Sequence, residues 1–342
     1  MLENAYRVGL IGVGEIAGWH VRSLRAAGFE ITAVGNRAGS KRTNEFALRQ
    51  SIPRVFEDWR TMLQHSELWD ALAICTWPDG TPDVLKAALK LKVPILVEKP
   101  VAWNSEGLRH LCELPHDQVI VGYNRRFYRS VHAAHAEAQR GPPLLAHLSL
   151  PMDVASPDQP DSTGGYLWNF FESISAHGLD LTRYVLGDLR VEEVRRLKNE
   201  HGNLIGLAAL LSSQRGDIVQ VTSSFGTSAN FSLSLCRRGR RVELLPFEIA
   251  SIYEGMEVVP PTKEYPVRRY IPKSVGQILL DGIDLQEKPG FVAEAQAFLQ
   301  MISGQVPPAC TARLEDALAA VSLCEDLTGV SLGNVHPNPF VC

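Results

Sequence analysis

Arg7-Val8-Gly9-Leu10-Ile11-Gly12-Val13-Gly14-Glu15-Ile16-Ala17 decides the fold of this chain. The apolar-rich run through Ile11 predicts a short strand, and a helical pattern follows to about Ala27. Between them stands G-x-G-x-x-A. Gly12 permits the tight turn, Gly14 lets the backbone approach a pyrophosphate, and the small Ala17 lets helix pack on strand. The free N–H groups at the helix start, around Glu15 and Ile16, and the helix dipole then face the phosphates. A strand before and a helix after are the context that makes this a dinucleotide-binding turn.

Working outward, Glu30–Val34 is the second strand. The residue that closes it normally meets the ribose: an acid favours a free 2′-hydroxyl, whereas an arginine accommodates a 2′-phosphate. Here Gly35-Asn36-Arg37 follows, with Ser40, Lys41 and Arg42 behind. The acid is missing and cations are present, which points towards NADP. Asn36 keeps NAD open, because its amide can bond a 2′-hydroxyl. Arg42–Gln50 and Asp58–His65 have helical character, and Ala71–Thr76 is a buried strand. The loop after it, Thr76-Trp77-Pro78-Asp79-Gly80-Thr81-Pro82, lies at the same sheet edge as the glycine turn. Thr76, Trp77 and Pro78 are therefore expected to line the cofactor, with packing an equal use for Trp77.

Asp83–Leu91 is the next helix. It leads into Val93-Pro94-Ile95-Leu96-Val97-Glu98-Lys99-Pro100, an apolar strand that stops at a charged pair and a proline with no N–H to donate. In a parallel sheet, ligands bind outside the carboxyl ends of the strands, which is where Glu98 and Lys99 fall. Asn104–Leu114 reads as a capped helix. Gln118–Val121 is a last strand, ending in Gly122-Tyr123-Asn124-Arg125-Arg126-Phe127. Alternating strands and helices imply an α/β, doubly wound parallel sheet. The domain boundary is placed here, with residues 1–122 as the dinucleotide-binding domain and 123–342 as the second.

Length agrees with two domains, since 342 residues exceed one ordinary core. Hydrophobic residues at 45% and charged residues at 21% fit a soluble globular chain. A net charge of −4 gives no long-range pull on nucleic acid or an anionic membrane. No apolar run approaches the ~20 residues that span a bilayer. The N-terminus does not read as a signal peptide, and the six scattered cysteines suit free thiols in a reducing cytoplasm.

The glycine turn, Glu98-Lys99-Pro100 after its strand, and Gly122-Tyr123-Asn124-Arg125-Arg126-Phe127 together resemble the Gfo/Idh/MocA oxidoreductases. Gly164-Gly165, His177-Gly178-Leu179-Asp180-Leu181 and Arg183-Tyr184-Val185-Leu186-Gly187 extend the resemblance over nearly the whole chain. It implies an N-terminal Rossmann domain and a C-terminal α/β domain with a large, mostly antiparallel sheet that binds substrate and often makes the oligomer contact. It implies that Lys99 acts at the reacting carbinol and that His177 is the proton-transfer histidine. One departure stands out. The family commonly places Asp four residues before that histidine, and here the position is Ser173, preceded by Glu172. Glu172 lies about 100° round a regular helix from Ser173, so it would need a local distortion to substitute.

In the second domain, Tyr128–Gln139 is helical and carries His132 and His135, with no third metal ligand apparent. Leu144–Leu150 is a strand and Pro151–Asp161 a loop that could cover the substrate. Asp180 could orient His177 or be solvated. Leu204–Leu211, Ile218–Ser224, Asn230–Cys236 and Arg241–Phe247 read as an antiparallel meander. Arg237-Arg238-Gly239-Arg240-Arg241 reads as a solvated hairpin tip, with an anion site as the alternative. Pro260–Pro272 is a proline-rich excursion, and Gly290–Gly304 and Thr311–Leu327 are terminal helices.

These readings converge on hydride transfer between NADP or NAD and a ring carbon of a sugar, nucleotide-sugar or cyclitol. Lys99 holds the oxygen and His177 is base or relay. Gly12, Gly14, Glu15, Ile16, Asn36, Arg37, Thr76, Trp77, Pro78, Glu98, Lys99 and Asn124 are the cofactor candidates. Lys99, Arg126, Ser173 and His177 are the substrate candidates, and no metal is expected. A homo-oligomer, dimer or tetramer, is expected by family analogy. Two rivals stay open: a redox-neutral nicotinamide enzyme, and a non-catalytic nicotinamide-binding sensor or partner subunit.

Overall fold

The computed structural model describes residues 5–152, 171–202 and 204–330. Strands and helices first alternate: β1 (Arg7–Ile11), α1 (Glu15–Ala26), β2 (Glu30–Gly35), α2 (Arg42–Arg49), β3 (Arg54–Phe56), α3 (Trp59–Leu63), β4 (Ala71–Ile74), α4 (Thr81–Leu89), β5 (Ile95–Val97), α5 (Ser105–Cys112) and β6 (Val119–Val121). They form one six-stranded sheet in the order β3-β2-β1-β4-β5-β6, with every pair parallel. β4, β5 and β6 are buried throughout, as strands covered on both faces must be. At their carboxyl ends a row of backbone bonds ties neighbours together. Gly12 N–H donates to Gly35, Cys75 to Ile11, Glu98 to Ile74 and Gly122 to Val97, at 2.7–2.9 Å. This row sets the glycine turn, Thr76, Lys99 and Asn124 along one edge.

The rest of the chain is α6 (Arg129–Ala138), β7 (Leu145–Ser149), a π-type turn at Phe171–Ser175, α7 (Ala176–Leu186), β8 (Leu189–Lys198), β9 (Leu204–Ser213), β10 (Ile218–Ser224), β11 (Ser232–Arg237), β12 (Arg240–Leu244), β13 (Ala250–Val259), β14 (Arg269–Ile278), α8 (Phe291–Ile302) and α9 (Leu314–Thr328). Its eight strands run β14-β13-β12-β11-β7-β10-β9-β8, all antiparallel except β7 with β10. One face packs on α6 and α7. Ala146, Leu148, Val219, Val221, Leu233 and Leu235 share a core there with Val131, Ala134, Leu179 and Val185. The α/β class with two such sheets is as expected.

Several details differ. The strands are not a simple meander, because β7 inserts between β10 and β11. Period-two burial reports a face, not a neighbour, so the sequence pattern could not place it. β14 starts inside the presumed Pro260–Pro272 excursion. Pro272 is tolerated because β14 is an edge strand, where a missing donor leaves no ladder bond unmade. The loop from Pro151 passes out of the described residues after Met152, as do Gly164-Gly165 and Cys342.

The cut at residue 122 is not clean in space. α8 packs on the first sheet's outer layer, where Ala295 and Phe298 join Val21, Leu24 and Phe29. α9 does the same, with Leu314, Ala317 and Val321 meeting Leu108, Leu111 and Val121. Ala312 even accepts the Val121 N–H at 3.0 Å.

Candidate active site

The glycine turn has the geometry that a pyrophosphate needs. Gly12 has φ +103°, and any Cβ there would collide with the Cys75 carbonyl. Gly14 has open space beside it and caps α1 with no side-chain bond, so the first N–H groups of the helix are free for a ligand. Glu15 is exposed and Ile16 half-buried at this turn. These residues fit a bound dinucleotide. At the end of β2, Asn36 bonds Ser40 Oγ at 2.8 Å, while Arg37 is exposed. After β4, Thr76 and Thr81 hydroxyls bond at 2.8 Å, and Pro78 is buried. Trp77 is 43% exposed and packs edge-on against Trp103 at 5.6 Å, so it combines a packing contact with an open face.

Lys99 lies at the end of β5, partly buried. Its Nζ donates to the Ser173 carbonyl at 2.6 Å, which joins the two domains at this point. Burial pushes its ammonium down to about 8; Glu98 opposes this, and the nearby charges of Arg125 and Lys288 reinforce it. Glu98 is locked from both sides. Its Oε1 contacts His20 Nε2 at 2.9 Å and its Oε2 accepts the Lys99 N–H at 2.8 Å. Burial alone would raise its carboxyl, but the His20 bond and the charges of His20 and Lys99 hold it below the ordinary value. His20 was not anticipated. Its signal was a polar residue on the buried stripe Ala17, Val21, Leu24 of α1.

His177 opens α7, buried, with its ring edge-on to Tyr123 at 5.8 Å. Burial pushes its imidazole well down, with Lys99, Arg125 and Lys288 adding to the effect. It is therefore neutral at pH 7. Lys288, also unanticipated, sits with Nζ 4.9 Å above the Phe291 ring. Nothing local marked it, because it reaches this site from far along the chain.

Three expectations need correction. Arg126 is not free for substrate. It is 3% exposed, and bonds Asp180 through Nε at 2.8 Å and Nη2 at 2.6 Å, and Asp316 at 2.9 Å. Asp180 is accordingly neither solvated nor on His177. Asn124 directs one amide N–H to the Pro289 carbonyl at 2.8 Å, which holds the chain before α8. The β11–β12 hairpin is only partly a solvated tip: Arg238 is exposed, whereas Arg237 and Arg240 both converge on the buried Glu137. His135 is likewise accounted for, stacked on Tyr184 at 4.7 Å.

The Ser173 departure resolves in an unexpected way. A distortion is present, the π-type turn, yet Glu172 does not use it to reach His177. Glu172 is 1% exposed with an unpartnered Oε2, among groups of α9 that include Cys324 and Glu325. What Ser173 offers Lys99 is its backbone carbonyl. Burial pushes the Glu172 carboxyl up to about 8, so it is neutral at pH 7 in the fold but ionised in the unfolded chain. The unfolded state then binds fewer protons, and stability falls as pH rises from about 4.5 towards 8. Glu172→Gln should remove that dependence. Melting curves should show the variant above the parent at pH 8–9, with the gap closing near pH 4.5.

Comparison with known proteins agrees with the geometry. Residues 6–135 match the family model described as oxidoreductase family, NAD-binding Rossmann fold, of the Gfo/Idh/MocA group. An inositol 2-dehydrogenase of Paracoccus denitrificans is 28% identical over 234 residues, covering 63% of this chain and 66% of its own. The match thus spans just under two thirds of that relative's length. Among solved structures, a UDP-N-acetylglucosamine 3-dehydrogenase of Acidithiobacillus ferrooxidans superposes with a TM-score of 0.72 at 19% identity, over 95% of this chain and 97% of that one. An oxidoreductase of Agrobacterium radiobacter, solved in complex with NAD+, L-tartaric acid and magnesium, gives 0.72 at 18% identity over 95% and 96%. Those two likenesses show a shared fold. Over residues 6–135, this chain matches the NAD-binding Rossmann domain of the Gfo/Idh/MocA oxidoreductases.

Proposed function

We propose that this protein is a nicotinamide-dependent dehydrogenase acting on a ring CH–OH of a sugar, nucleotide-sugar or cyclitol. The observation that carries the reading is the bond from Lys99 Nζ to the Ser173 carbonyl, four residues before His177, whose imidazole feels the Lys99 charge. A bound nicotinamide would supply the hydride acceptor. As the carbinol C–H bond breaks, the hydroxyl must lose its proton. Lys99, as a free amine, takes that proton, and the resulting ammonium stabilises the carbonyl oxygen as it forms. His177, held neutral beside that ammonium, is the proposed transient relay by which the proton later leaves for water. Glu98, held by His20, fixes the backbone of Lys99, so the amine is presented in one place.

The inositol and nucleotide-sugar dehydrogenases among the relatives fit this substrate class. NADP is the proposed partner because the β2 loop offers Arg37, Lys41 and Arg42 and no acid. A cytoplasmic oligomer is the proposed setting; no helix among the described residues is long and apolar enough to cross a membrane. A screen of cyclitols, sugars and nucleotide sugars with each cofactor, followed by nicotinamide absorbance, tests the reading. Turnover with at least one class is expected, with tighter binding of NADP than NAD. Absence of turnover throughout would count against the dehydrogenase, and a clear NAD preference would remove the NADP assignment alone.

A further inference from the structure

Arg125 and Arg126 are neighbours with opposite fates. Arg126 spends its donors on Asp180 and Asp316. Arg125 is half-buried and has no carboxylate partner among the described residues; its guanidinium lies 5.3 Å from the centre of the Phe231 ring and 5.6 Å from that of Phe247. Those two rings pack together at 5.7 Å, forming a shelf from the second domain. A guanidinium resting on aromatic faces keeps its N–H edge available, and that edge matches a carboxylate fork.

The shelf also locates Arg125. Phe247 lies against Gly178, the residue after His177, within 3.4 Å of where a Cβ would stand. From the other side, Gly122 bonds the end of β5, and Arg125 follows three residues later in the short turn 124–127. The free arginine is therefore set beside both Lys99 and His177. Consistent with this, its charge acts on each of them. The acid in this space, Glu98, is occupied by His20 and the Lys99 N–H. Lys288 also feels Glu15 of the dinucleotide turn, so a pyrophosphate there can answer its charge. Among the described residues, no ion pair answers Arg125.

We propose that Arg125 binds a carboxylate of the substrate, so that the sugar-like substrate is an acid: a uronate or a related carboxylated polyol. This rests on the dehydrogenase reading for the identity of the reacting carbon. Its binding part stands without it. A neutral polyol would leave this half-buried cation without an ion pair, whereas a carboxylate pairs with it through two parallel N–H bonds.

The test is equilibrium binding to the cofactor-loaded protein, by calorimetry, of D-glucuronate against D-glucose and D-galacturonate against D-galactose. Hydride transfer is read in parallel. At least one acid is expected to bind about tenfold or more tightly than its neutral partner, and Arg125→Gln should weaken that acid about a hundredfold and the neutral sugar far less. Arg125→Lys should keep part of the preference. Neutral sugars binding as well as the acids, no acid binding at millimolar concentration, or equal losses for both in Arg125→Gln would each overturn the proposal. Should Arg125→Gln fail to fold, the wild-type acid-to-neutral ratio and Arg125→Lys decide it. Acids that bind through Arg125 without reducing cofactor would uphold the carboxylate site and reject the dehydrogenase. Oxidation of neutral polyols with no acid bound would do the reverse.

Discussion

Lys99→Met should lower turnover by about a thousandfold or more while leaving cofactor affinity within a few-fold. The magnitude is that of a positioned acid–base group, which contributes about 10²–10⁴-fold. Methionine keeps the length and apolar stem of the side chain and removes only the amine, so the strand end should hold its place. Lys99 is also the group whose titration falls in a working range, at about 8, because His177 is held neutral well below it. The sign follows from the chemistry. Alcohol oxidation needs the free amine, so its rate should rise as pH passes through about 8, and carbonyl reduction, which needs the ammonium, should fall. A pH profile for each direction, with fluorescence titration of the cofactor, checks both halves. Near-normal turnover in the variant, or no limb near that pH, would refute the assignment.

Arg126→Met gives the second large effect, and it is a loss of stability. The substitution leaves Asp180, 1% exposed, without the guanidinium that bonds both its oxygens. Removing one partner of a buried pair costs about 3–5 kcal/mol, because the other charge is left uncompensated. At roughly 2–4 °C per kcal/mol for a unit of this size, the melting temperature should drop by about 10 °C. The network joins the turn after β6 to α7 and α9, so it ties the two sheets' layers together. The discriminating measurement is KM against melting temperature. A substrate-binding Arg126 would raise KM in a protein of unchanged stability, and that outcome would reverse the structural assignment.

These two residues also show how far the sequence can be read. Lys99 was legible because its neighbourhood is local: an apolar strand, a charged pair, a proline, and a parallel sheet whose ligand edge is fixed by topology. The glycine turn was legible for the same reason. Arg126 was not, because its partners Asp180 and Asp316 are brought by packing from distant segments, and no periodicity records them. Arg125 looked equivalent to it, and only the fold separates the buried ion pair from the free cation. Glu172 was half legible. The need for a distorted turn followed from helix geometry, but the direction of the carboxyl depended on α9. β7 was recognised as a strand and misplaced as a neighbour, since alternation of burial carries no address.

The return of α8 and α9 to the first sheet has a consequence for how the chain is made. A ribosome releases the whole six-stranded sheet long before it releases residues 291–328. Until then Leu108, Leu111 and Val121 lack Leu314, Ala317 and Val321, and Val21 and Leu24 lack Phe298. The Val121 N–H waits for the Ala312 carbonyl as well. The dinucleotide domain therefore cannot mature ahead of the rest, as leading domains usually do during synthesis. Its closing step waits for α8 and α9, so cofactor capture comes well after the sheet itself has been made.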